Sequence, residues 1–125
     1  MQFIDLKKQY SKISSKISKN IDTVLSHGQY IMGPEIKDLE QKLANFAETK
    51  YCLSCSSGTD ALLIPLMAKN ISKGDAIITT PFTYIATAEV ISLLGATPIF
   101  VDVYPETFNI DASKIQPGIE RAKSM

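Results

Sequence analysis

Residues 52–63 read CLSCSSGTDALL: four small residues, Ser56-Ser57-Gly58-Thr59, set between an apolar segment and an apolar run. At the head of a helix such a turn suits an anion, phosphate above all. The first N–H groups of a helix have no intrahelical acceptor, and the helix dipole adds positive charge at the same end. Gly58 lets the backbone come close to a ligand, and the hydroxyls of Ser57 and Thr59 can donate to phosphate oxygens. The same residues also spell a capping box, with Ser57 as the cap and Asp60 reaching back to its N–H. A cap of this kind contributes about 1 kcal/mol with no ligand at all. The residues by themselves leave the two roles evenly matched. No Gly-Lys-Ser/Thr follows the turn and no G-x-G-x-x-G occurs, so neither a Walker loop nor a dinucleotide fingerprint is present.

The elements that must position this turn are legible from periodicity. Ile13, Ile17, Ile21, Val24 and Leu25 recur at helical spacing, with Lys12, Lys16 and Lys19 on other faces, and this helix is expected to end before Gly28. Pro34 suits the first position of a second helix with the stripe Ile36, Leu39, Leu43 and Phe46. From residue 51 the pattern changes to a short strand (51–55), a helix (about 57–70), a strand (76–80), a helix (83–96) and a strand (99–103). A last helix follows, capped by Asp111. Strand and helix alternating in this way predict βαβαβ and a parallel sheet. The fold class is therefore α/β: an N-terminal helical segment, residues 1–50, followed by part of a mostly parallel sheet, residues 51–125. A fourth strand is expected where the chain stops.

Composition narrows the function. Thirteen basic and thirteen acidic residues cancel, which leaves no electrostatic footprint for nucleic acid or an anionic membrane. The N-terminus lacks a signal-peptide pattern and no apolar run reaches bilayer length, so a cytoplasmic location is the expectation. Cys52 and Cys55 form C-x-x-C, but they fall in the expected strand rather than at a helix start. A zinc site would need two more ligands, and His27 is the only histidine. They are read as small buried strand residues. Pro65, inside ALLIPLMA, costs its helix one hydrogen bond, typically about 3 kcal/mol.

FIDLKKQY, GQYIMGPEIKDLEQKLANFAETKY, SSGTDAL, TTPFTYIATAEVI and GATPIFVDVYPETFNID follow one another along nearly the whole chain. In that order they resemble the DegT/StrS-type sugar aminotransferases. The resemblance implies the incomplete large domain of a fold-type-I enzyme that uses pyridoxal 5'-phosphate (PLP). It implies that Ser57, Gly58 and Thr59 hold the PLP phosphate, with Asp60 in the cap, and that Tyr84 lies against the cofactor ring. It further implies transfer of an amino group, with glutamate as donor, to a nucleotide-linked keto-sugar, by a homodimer when complete.

The family carries its Schiff-base lysine and pyridine-binding aspartate beyond residue 125. No catalytic residue is therefore assigned within this chain, and no transamination is expected of it alone. Asp102 is read as a turn residue and His27 as an ordinary loop histidine; Tyr30 either borders the substrate cleft or anchors its loop. No metal site, nucleic-acid partner or membrane contact is expected. The competing reading is a non-catalytic phosphate- or cofactor-binding α/β module, or the remnant of a split gene.

Overall fold

The computed structural model describes residues 3–125. They divide into two compact units, residues 3–54 and Cys55–Met125.

The first unit is helical. Helix α1 (Leu6–His27) opens on Asp5, whose carboxylate accepts the Lys8 N–H at 2.9 Å. It closes on Gly28, left-handed at φ 68°, whose N–H reaches the Val24 carbonyl at 3.1 Å. None of its residues is buried, so the stripe Ile13, Ile17, Ile21 and Leu25 lies exposed. Helix α2 (Pro34–Phe46) starts at Pro34 as expected and buries Ala44. The turn between the helices is tight: a Cβ on Gly33 would fall 2.4 Å from the Gln29 carbonyl oxygen.

That turn also gives His27 the partners the sequence did not show. His27 Nε2 lies 2.9 Å from Glu35 Oε1, and the Gln29 N–H donates to His27 Nδ1 at 3.0 Å. With Nδ1 accepting, the proton belongs on Nε2 and is donated to Glu35. This bond holds the Glu35 carboxyl below its ordinary value. On α2, Glu40 Oε1 accepts both the N–H and the hydroxyl of Ser54, at 2.8 and 2.7 Å.

The second unit is α/β. Helix α3 (Gly58–Ala68), strand β1 (Ala76–Thr79), helix α4 (Ala86–Leu93) and strand β2 (Thr97–Phe100) follow in order. Then come a 3-10 turn (Ala112–Lys114) and helix α5 (Ile115–Lys123). β1 and β2 pair in parallel, Ala76 opposite Thr97 through Thr79 opposite Phe100. The core is Val90, Ile91 and Ala96, with Leu63, Leu66, Ile71 and Ile77 against it. Gly118 brings α5 close to the sheet: a Cβ there would meet Val101 Cγ1 at 2.8 Å, with Ile99 and Ile78 just beyond.

Two expectations need correction. Residues 51–55 form no strand, so the sheet has two strands rather than three. A strand is held by its neighbour's N–H and C=O groups, and no segment among the described residues pairs with Tyr51–Cys55. Cys52 and Cys55 accordingly are not buried: Cys52 is half-buried and Cys55 exposed. No helix of the described residues is long and apolar enough to cross a membrane.

Pro65 sits inside α3 and cannot donate to the Ala61 carbonyl one turn back. Pro65→Ala is expected to restore that bond and raise stability by up to about 3 kcal/mol, read as a higher urea midpoint at unchanged slope. Gly118→Val should move the midpoint the other way, by about 1–3 kcal/mol, because the close approach of α5 leaves no room for the branched side chain.

Candidate functional site

The head of α3 is built by hydrogen bonds from its own turn. Ser57, extended at φ −156° and ψ 166°, is the N-cap, and its Oγ accepts the Asp60 N–H at 3.1 Å. The same hydroxyl donates to Asp60 Oδ2 at 3.0 Å, and Ser56 Oγ donates to that oxygen as well. The Ser57 carbonyl accepts the Ala61 N–H at 3.0 Å and the Cys55 thiol at 3.4 Å. Asp60 is thereby held below its ordinary carboxyl value, first by the Ser56 hydroxyl and then by that of Ser57.

This capping leaves a defined set of groups over. The N–H groups of Gly58 and Thr59 occupy the first two helical positions, where no intrahelical acceptor exists. Neither has a protein acceptor among the described residues, and neither does the Thr59 hydroxyl. All of Ser56–Thr59 is exposed. A Cβ on Gly58 would meet no atom within 4 Å, so the space beside Gly58 is open. Two N–H donors, one hydroxyl and the positive end of an 11-residue helix form a donor set that fits a phosphate group.

Tyr84 stands apart from this turn in the chain but in the same unit. It lies in the loop after β1, two residues before α4 rather than within it, and is 78% exposed. Loops at the C-terminal ends of parallel strands are where ligands gather in such sheets. The helices that the turn and this loop introduce, α3 and α4, pack against each other. Ser57, Gly58 and Thr59 are thus contiguous at one helix end, with Tyr84 on the loop between β1 and α4.

Ser56 was missed from sequence. The signal was present in its spacing: it stands four residues before Asp60, as Ser57 stands three before, so both hydroxyls can reach one carboxylate. A second polar cluster lies beyond β2. Asp102 accepts the Val103 N–H at 2.9 Å and pairs with Lys114 Nζ at 3.1 Å, which holds its carboxyl below the ordinary value. Asp111, buried, caps the 3-10 turn through the Ser113 N–H at 2.9 Å and hydroxyl at 2.6 Å. These bonds are internal to the cluster, and Asp102 lies in the irregular segment just after β2 rather than in a turn.

Three comparisons bear on the site. Residues 11–125 match the profile of the DegT/DnrJ/EryC1/StrS aminotransferase family. A UDP-2-acetamido-2-deoxy-3-oxo-D-glucuronate aminotransferase of Pseudomonas aeruginosa is 51% identical over 119 residues, covering 95% of this chain and 33% of that protein. The crystal structure of a DegT DnrJ EryC1 StrS aminotransferase from Brucella abortus superposes with a TM-score of 0.90 at 40% identity, over 99% of this chain and 33% of that one. NtdA from Bacillus subtilis, solved with bound cofactor PMP, does so with a TM-score of 0.81 at 33% identity, over 86% of this chain and 25% of its own. The chain spans about a third or less of the length of these relatives.

The capping bonds make one prediction about acidity. The native Asp60 carboxyl is more acidic than the unfolded one. Its contribution to stability is therefore complete above the ordinary value of 3.8, and is lost as the pH falls through the lowered native value. Asp60→Asn should flatten the acid limb of the stability profile below about pH 4, measured as urea midpoint against pH. A limb unchanged by the substitution would show that Asp60 is not tied to the serines in solution.

Proposed function

The chain belongs to the DegT/DnrJ/EryC1/StrS aminotransferase family. On that premise we propose that its residues are the cofactor-phosphate-holding N-terminal portion of a PLP-dependent aminotransferase. The complete enzyme would act on nucleotide-linked keto-sugars with glutamate as amino donor, as a cytoplasmic homodimer. The observation that carries the reading is the donor set at the head of α3, where the exposed Gly58 N–H, Thr59 N–H and Thr59 hydroxyl have no protein partner among the described residues. The identity to the Pseudomonas enzyme supports the substrate class, and NtdA with its PMP supports the cofactor.

Each residue then has a task that its position explains. Gly58 and Thr59 bind the phosphate, aided by the helix dipole. Ser57 and Asp60 cap the helix and so fix the direction of those two N–H groups. Tyr84 offers an exposed aromatic face to the cofactor ring, and stacking orients a planar group at small entropic loss. When bound, PLP supplies an electron sink for the carbon that loses its proton. No lysine lies in the turn Cys55–Asp60 or in the loop Thr80–Tyr84. We therefore assign these residues binding and orientation and no proton transfer.

Two measurements test the proposal. PLP added to the full chain should bind reversibly, should be displaced by inorganic phosphate, and should leave no lysine adduct after borohydride reduction, read by mass spectrometry. Glutamate-dependent amination of a nucleotide keto-sugar should be absent with this chain alone. A lysine adduct, or turnover without another polypeptide, would overturn the division of labour proposed here.

A further inference from the structure

We infer that His27 is a pH-sensitive latch on the loop Gln29–Met32: protonation of its ring turns the acceptor that holds the loop into a donor and lets the loop go.

The loop joins α1 to α2 within the first unit. Among the described residues, Gln29, Tyr30, Ile31 and Met32 make a single hydrogen bond, from the Gln29 N–H to His27 Nδ1 at 3.0 Å. Met32 sits left-handed at φ 51°, a conformation that few residues other than glycine adopt. Tyr30, Ile31 and Met32 are all exposed. The backbone here is thus held against its own preference, by one bond and with little packing.

That one tether ends on an imidazole nitrogen. Nδ1 can accept the Gln29 N–H while the ring is neutral, with its proton on Nε2 toward Glu35 Oε1 at 2.9 Å. The proton that charges the ring must enter at Nδ1, where it meets the Gln29 N–H donor to donor. One of the two must turn away. Nε2 meanwhile goes on donating to Glu35, and the contact becomes an ion pair. Acid thus frees the loop without parting the end of α1 from the start of α2. Histidine is the side chain that ordinarily changes charge between about pH 5 and 8.

The charges around the ring are few. Glu35 faces it from α2, and its carboxyl, held below the ordinary value first by the bond from His27, stays ionised over this range. Asp38, further along α2, is paired with Lys42. Lys16 of α1 and Tyr30 of the loop line one cavity with Glu35, and neither bonds to the ring. Glu35 is therefore the charge that a protonated ring meets.

Two substitutions separate the two ring nitrogens. In His27→Asn the amide oxygen takes the place of Nδ1 and accepts the N–H two residues on at every pH. In His27→Gln the longer amide takes the place of Nε2 and leaves Gln29 without its acceptor.

The experiment follows the backbone amides of the full chain by NMR and hydrogen exchange between about pH 5 and 8, each rate divided by that of an unstructured peptide. Protection of Gln29 should fall about two- to tenfold as the His27 ring titrates, the range of one net hydrogen bond. Ile36, whose N–H is bonded to the Gly33 carbonyl at 3.1 Å, should keep its protection and report that α2 is intact. Both His27 variants should lose the pH response, with Gln29 protected in His27→Asn and unprotected in His27→Gln. Glu35→Gln should keep the response but move it to lower pH by about half a unit, the loss of one partly exposed charge partner.

A Gln29 amide that ignores the titration of His27 would overturn the latch, as would a ring that does not titrate in this range. A response that survives in His27→Asn, or Gln29 protected in His27→Gln, would do the same. So would Ile36 losing protection in step with Gln29, the mark of a whole turn unfolding, or a response moved to higher pH by Glu35→Gln.

Discussion

Every backbone N–H and C=O must find a partner or face water, and the layout of this chain follows from where each finds one. β1 exists because β2 lies beside it, four residues against four in parallel register. Residues 51–55 have as suitable a composition and remain irregular, since nothing described pairs with them. α1 ends where Gly28 turns its N–H back to Val24, and α3 begins where Ser57 answers for the third of its leading N–H groups. The first two have no partner among the described residues. The proposed phosphate site is the remainder after the hydrogen bonds of the fold have been assigned.

The head of α3 combines two demands that pull against each other. A well-capped helix wants a carboxylate in its first turn, whereas a phosphate at the same end wants none. Asp60 satisfies the first demand and tempers the second, since its oxygen faces two serine hydroxyls. Direction matters here more than strength. A turn whose hydroxyls are free to rotate could present donors anywhere, while here those of Ser56 and Ser57 are committed to Asp60. Binding at such a site gains from order already present before the ligand arrives.

Local chemistry made much of this visible in the sequence. The limits of α1 and α2 follow from Gly28 and Pro34, and Asp111 caps its turn as its residue type suggests. The cap of α3 was legible because Ser57 and Asp60 are three residues apart. Features that depend on distant partners were not. The 51–55 segment has strand composition, yet pairing is a property of two segments. His27 gave no hint of Glu35, eight residues on, because their meeting depends on the path of the intervening turn. Tyr84 was placed at a helix start, but α4 begins two residues later, its first turn delayed by the loop after Pro81.

The contact at Gly118 has a mechanical side. Helix α5 is fastened to the end of β2 at three successive residues: Arg121 donates to the Phe100 carbonyl at 2.6 Å, Gly118 rests on Val101, and Lys114 just before the helix pairs with Asp102. These are three contacts of different kinds, a hydrogen bond, a close packing contact and an exposed ion pair, taken up by three neighbouring residues. Close-packed interiors also yield little to compression. The end of β2 and the face of α5 thus share their contacts, and a change at any one of these three residues bears on the seat of the helix as well as on the strand.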